Sequence, residues 1–215
     1  MLSELLESYD FILASSSPRR YEIIHDILGI DKLDTMKPSF EEDLDKSKYT
    51  NNPIQYVIDT CKGKADGICD DLKSHQKSFD KPQVVICADT IVLDANNKIY
   101  EKPSSRNDLI KNLHWFCYET KEPVRVVTAV SVIVYKSPTE YRVTEFHDQT
   151  DMYFDSNIPS SFIEEYSRND AALNAAGGIM IQTSCGAMVN RIDGDYYNIM
   201  GLPLNKLVIE LNRLL

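Results

Sequence analysis

The chain has 215 residues, with 23 Lys+Arg against 33 Asp+Glu for a formal charge of -10. That balance repels a nucleic-acid backbone and argues against a nucleic-acid polymer as partner. Hydrophobic residues make up 43 % and charged residues 26 %, with only 8 Gly and 9 Pro, which excludes disordered, collagen-like and repeat-fibre classes. The longest apolar runs, such as 84–87 and 129–135, fall far short of the roughly 20 residues a membrane helix needs, and the start has no basic leader segment. A cytoplasmic protein with no membrane contact is expected, folded as one domain over 1–215 without a long linker.

Residues 9–14 read as a buried strand. Ser17 follows as a helix N-cap, with Pro18 at the first helical position, then Ile23, Ile24, Ile27 and Leu28 on one face and Gly29 as the stop. Between 54 and 72, apolar residues recur at spacings of three and four, which predicts an amphipathic helix despite Gly63 and Gly67; a loop over 73–81 follows. The continuous run 84–88 predicts a strand covered on both faces that delivers Asp89 and Thr90 to its C-terminal end, where open α/β sheets bind ligands.

A turn at Asn96-Asn97, a short helix over 108–117 and a long strand over 126–135 come next, then a strand over 141–154 solvated on one face. Pro159 opens a helix to Tyr166, Gly177-Gly178 interrupts the chain, and 179–182 resumes as extended backbone. Pro203 opens a last helix with Leu204, Leu207, Val208, Leu211 and Leu215 in one stripe. Helices alternating with strands predict an α/β fold with a mixed sheet.

Five cysteines at 61, 69, 87, 117 and 185 lack any CxxC pair, and four histidines lack zinc spacing, so the cysteines read as reduced core residues. The segment Ser15-Ser16-Ser17-Pro18-Arg19-Arg20 collects hydroxyls, first-turn amides and two guanidiniums at one strand-to-helix junction, the composition of an anion site; the plainer alternative is a cap with two solvated arginines. Asp89 suits a metal ligand or a general base, or else caps a turn. The second acid that a haloacid-dehalogenase-type nucleophile needs two positions on is replaced by Ile91. Lys102 before Pro103 has the form of a phosphate clamp. Lys62 and Lys64 lie at opposite edges of their helix stripe, and periodicity does not choose between them. Glu41, Glu42 and Asp43 form a loop cluster that by itself reads as a solvated face. No P-loop, dinucleotide or nucleophile-elbow motif is present.

Taken in order, LASSSPRR, CADTIV, EKP, AAGGIMIQ and GDYYNIMGLPL resemble the Maf family, the septum-formation-inhibitor-like nucleotide pyrophosphatases. The likeness runs from Phe11 to about Leu207. It implies a mixed twisted sheet flanked by helices with two lobes around a central cleft. It also implies hydrolysis of nucleoside triphosphates to the monophosphate and pyrophosphate with Mg²⁺ or Mn²⁺, and possible homodimers. Carried over by position, Asp89 matches the family's proposed general base and metal ligand, and Glu42 the acid of the first long loop, a second metal ligand. Ser15, Arg19, Arg20, Lys64 and Lys102 match substrate-binding positions, and Arg19, Thr90 and Gln182 resemble the combination in members that use dTTP and UTP. Asp89, Arg19, Lys102 and Gln182 are therefore expected to line one cleft. The chain departs from the family's HxVxTGV pattern at Val124 and Ala129, and from other family positions at Ala175, Met180 and Thr183. A nucleotide-binding regulatory protein with little turnover is the alternative these departures suggest, and a phosphatase releasing orthophosphate is a third reading.

Overall fold

The computed structural model describes residues 2–40 and 44–215. Among them, one sheet collects seven strands in the order β2-β1-β3-β5-β6-β7, with β4 also paired to β3. Strand β1 (Asp10–Leu13) lies parallel to β2 (Leu33–Thr35) and to β3 (Gln83–Leu93). Strands β4 (Ile99–Tyr100), β5 (Val124–Ser137), β6 (Glu140–Phe154) and β7 (Val189–Asp193) all pair antiparallel. The sheet is therefore mixed, as the alternation of elements predicts.

Strand periodicity sorts β3 into two faces. Val84, Ile86, Ala88 and Val92 join one core layer, with α1 (Leu2–Ser8), α4 (Arg106–His114), α5 (Ser160–Tyr166) and α7 (Leu204–Asn212) packed against it. Val85, Cys87, Ile91 and Leu93 join the other, under the stripe of α3 (Pro53–Ser74), where Val57, Cys61, Ala65, Ile68 and Leu72 are buried. All five cysteines are buried and free, as the core reading expects. The two α3 glycines have a packing reason. A Cβ on Gly63 would strike the Phe40 ring, and one on Gly67 would lie 3.4 Å from the Phe40 amide nitrogen, so the pair forms a groove that seats the 39–40 segment.

Several sequence expectations are corrected. Strand β3 does not end at Asp89 but runs on to Leu93, because β5 continues to pair with it through Leu93↔Arg125 after β1 has stopped at Leu13↔Ile86. Helix α2 (Pro18–Glu22) passes into a π-helical stretch Ile23–Ile27. The wider π turn rotates Ile27 out to 46 % exposure, and Ile30 is buried instead. Residues 179–182 do not resume as a strand; Thr183 N–H bonds Met180 O at 2.9 Å in a turn. Strand β7 was not foreseen, since its pattern is largely exposed. The outer part of β6, residues 140–145, is exposed on both faces rather than one. Leu215 is 57 % exposed, and Leu214 packs in its place. Among the described residues no helix is long and apolar enough to cross a membrane.

Candidate active site

Beyond Leu13, β1 no longer covers the edge of β3, and β4 does not take up that edge until Val92. This gap lets both faces of β3 reach one opening, a cleft of about 770 Å³. Asp89 and Thr90 are consecutive, so they point to opposite faces of the sheet, yet both line the cleft.

On the α3 face, Lys64 Nζ donates to Asp89 Oδ1 at 2.7 Å, with side chains 9 % and 12 % exposed. On the other face, the β1–α2 junction forms a cradle. Ser17 caps α2, its Oγ accepting from Arg20 N at 3.4 Å, with Pro18 in the first turn as the sequence predicts. Ser15 Oγ accepts from Ser17 N at 3.1 Å and from Arg20 Nη1 at 3.2 Å. The Arg20 fork also donates from Nη2 to Thr90 Oγ1 at 2.9 Å and from Nε to Gly201 O at 2.8 Å. Gly201 closes α6 (Tyr196–Met200). Arg19 turns the other way, donating to Asn174 O at 3.4 Å; burial, and secondly the neighbouring Arg20, lower its pKa from the ordinary value.

Lys102 stands exposed at the rim, on a loop fixed at two points. Glu101 O accepts from Gly177 N at 2.9 Å, and the Glu101 carboxylate pairs with Lys46 at 2.5 Å. Gly178 holds the adjoining turn at φ +75°, where a Cβ would run into Leu109 Cδ1. The described residues lining the cleft thus include five cations, Arg19, Arg20, Lys37, Lys64 and Lys102, against two carboxylates, Asp89 and Glu101. Five minus two leaves a local excess of three positive charges in a chain of charge -10. A site built to hold a polyanion has this balance.

Ser15, Arg19, Arg20, Lys64, Asp89, Thr90 and Lys102 are therefore brought together. Gln182 is not among the residues lining the cleft. It lies two residues after Met180, which does line the cleft, and next to Ile181, which packs in the layer on the Thr90 face. Gln182 Oε1 is buried without a hydrogen-bond partner. Glu42 lies outside the described residues. Lys37, Phe40, Tyr56, Tyr100 and Gly201 also line the cleft and were missed. Tyr56 carried a partial signal, as a polar-tipped residue within the α3 stripe; Lys37 carried none.

A profile of Maf-like proteins matches residues 10–214. The chain belongs to the Maf family. Among its Maf relatives, a Saccharomyces cerevisiae protein named dTTP/UTP pyrophosphatase is 47 % identical over 206 residues, covering 94 % of this chain and 89 % of the relative. A Schizosaccharomyces pombe protein of the same name is 34 % identical over 208 residues, covering 93 % and 81 %. A human protein named probable bifunctional dTTP/UTP pyrophosphatase/methyltransferase is 33 % identical over 206 residues, which cover 94 % of this chain and 32 % of that protein. The Maf match spans the sheet from β1 onward and both sides of the cleft.

Proposed function

We propose that this Maf chain hydrolyses dTTP and UTP, or modified pyrimidine nucleotides, to the nucleoside monophosphate and pyrophosphate, as one domain in the cytoplasm. The observation that carries the reading is the excess of cations over carboxylates in the cleft, in a chain whose relatives are named for that reaction. A triphosphate has charge enough to match that excess, whereas an uncharged substrate would leave the cations repelling one another.

In this reading Ser15 and the Arg20 fork hold phosphate oxygens at the β1–α2 junction, while Arg19 and Lys102 neutralise the oxygens that leave with pyrophosphate. Water attacks the α-phosphorus, and the bond from that phosphorus to the bridging oxygen breaks, its electron pair departing on pyrophosphate. Asp89 takes the proton of the attacking water, with Lys64 holding its Oδ1 in place. The cleft suits a hard cation. The Asp89 carboxylate and the Ser15 hydroxyl are oxygen donors, and Mg²⁺ or Mn²⁺ binds one or two carboxylates and completes its shell with substrate phosphate and water. Glu42 is the second carboxylate in the proposal. When bound, such a metal supplies charge neutralisation at the phosphate and acidifies a coordinated water. Gln182 enters the proposal from the family resemblance alone, as a specificity residue with Arg19 and Thr90. A homodimer is carried over from the family resemblance alone.

The low-turnover alternative draws on the departures over 122–130. Residues 124–130 of that segment lie in regular β5, paired residue by residue with β6 and, from Arg125, with β3, which lends the alternative no support. The test is a panel of nucleoside triphosphates with Mg²⁺ and with Mn²⁺, resolving all phosphate products. Monophosphate plus pyrophosphate from dTTP and UTP is expected, reduced roughly 10²- to 10⁴-fold by Asp89→Asn. Release of orthophosphate would overturn the reading.

A further inference from the structure

Beneath the cleft, on the Thr90 face, a line of polar groups crosses three strands where apolar residues would ordinarily lie. Thr90 on β3 and Thr128 on β5 are register partners, and Thr150 on β6 pairs with Val126, two residues along from Thr128. Thr128, Thr150 and Asn198 are each 0 % exposed. Thr128 Oγ1 donates to Asn198 O at 3.3 Å and lies 3.0 Å from Thr90 Oγ1. A hydroxyl has one proton, so with the Thr128 proton on Asn198 O the Thr90 hydroxyl donates to Thr128, and its lone pair faces Arg20 Nη2 at 2.9 Å. In this arrangement the bonds run one way, from Arg20 through Thr90 and Thr128 to the α6 carbonyl.

Asn198 anchors the other end. Its Nδ2 donates to Val126 O and to Thr150 Oγ1, both at 3.0 Å, and Thr150 Oγ1 donates to Asp195 O at 2.9 Å. These bonds pin α6 to two strands, and α6 ends at Gly201, whose carbonyl accepts from Arg20 Nε. The arrangement buries Asn198 Oδ1 with no partner, a desolvation cost that an apolar residue would avoid. The two routes from the spine converge on one guanidinium.

We propose that Thr128 and Asn198 are positioning residues that set the pose of Arg20 in the cleft, the first through the Thr90 hydroxyl and the second through the Gly201 carbonyl. The proposal rests on the reading above only in taking Arg20 as a phosphate ligand. Without the Thr128 hydroxyl, the Thr90 proton turns to Gly201 O at 3.4 Å, the carbonyl that Arg20 Nε already uses, and the fork loses its fixed geometry.

The test is equilibrium binding of inorganic tripolyphosphate, which needs no turnover, to the full chain and its folded variants. Thr128→Val and Asn198→Ala are each expected to weaken binding about ten-fold, as for loss of a hydrogen bond that orients a charged group. Thr128→Ser should bind within about three-fold of wild type, and neither loss should add more than about two-fold on an Arg20→Ala background. Should Thr128→Val fail to fold, Thr128→Ala removes the same hydroxyl. Wild-type binding in the hydroxyl-less variants, effects that multiply with Arg20→Ala, or no tripolyphosphate binding by wild type would each overturn the proposal. If wild type binds tripolyphosphate with this pattern yet converts no nucleotide, the positioning role stands and the proposed reaction fails.

Discussion

Replacing Lys64 by Met removes the ammonium that faces Asp89 across 2.7 Å in a pair whose side chains are 9 % and 12 % exposed. Breaking one side of a buried ion pair costs about 3–5 kcal/mol, because the remaining charge keeps its desolvation without its partner. Since the pair borders an open cleft, the low end, about 3 kcal/mol, is expected. In a chain of this length that corresponds to a fall in Tm of roughly 6–12 °C. Asp89→Asn should cost a similar amount. The double variant Lys64→Met/Asp89→Asn removes both charges, and its stability should return to within about 1 kcal/mol of wild type. Urea denaturation of the four proteins, with m constant across the set, measures the cycle. A coupling of at least about 2 kcal/mol is expected, with hydrolysis absent from the double variant despite its recovered fold. Effects that add to within about 0.5 kcal/mol would refute the pairing as a stabilising contact.

Gly178→Ala places a side chain at φ +75° and drives its Cβ into buried Leu109; the left-handed backbone costs about 1–2 kcal/mol and the overpacking about 1–3, so denaturation should show a loss of at least about 2 kcal/mol. A loss under about 1 kcal/mol would mean that the turn relaxes freely. Gln182→Leu removes a buried acceptor that has no partner, so stability should hold or rise by up to about 1 kcal/mol, while the preference for dTTP over dCTP falls. Lost stability with unchanged preference would make Gln182 a structural residue instead. Burial pushes the Cys61 and Cys185 thiols from 9.0 up to about 11. Between these values the unfolded chain has released the thiol protons and the folded one has not, so stability is full below about pH 9 and is lost as pH rises toward 11, by about 1.4 kcal/mol per pH unit for each thiol. Equal urea midpoints at pH 8 and pH 10 would contradict the burial of these groups.

The core strands and long helix were legible because their apolar residues are packed locally and leave a period, as in Val57, Cys61, Ala65 and Ile68 along α3. Asp89 was legible as a residue but misplaced within its strand. Its neighbours Asp89-Thr90 look like a strand end, and only the distant register with β5 shows that the backbone stays extended. For the same reason the Thr90, Thr128 and Asn198 line could not be read. Each is an ordinary polar residue until pairing over 38 and 70 positions brings them together. Gly63 and Gly67 looked like defects in a helix, and their purpose depends on Phe40, a residue from another segment. The anion cradle was the clearest signal, since its cap, proline, serine and arginines lie within six consecutive residues, 15–20. Lys37 gave none, because a lysine after a short edge strand is indistinguishable from any exposed one until the cleft wall is seen.

Hydrolysis of dTTP in water enriched in heavy oxygen, with mass analysis of both products, reports directly which phosphorus is attacked. Attack at the α-phosphorus with Asp89 as base places the label in dTMP and leaves pyrophosphate unlabelled, with turnover lost in Asp89→Asn. Label in pyrophosphate or orthophosphate, or turnover that survives the substitution, would contradict it.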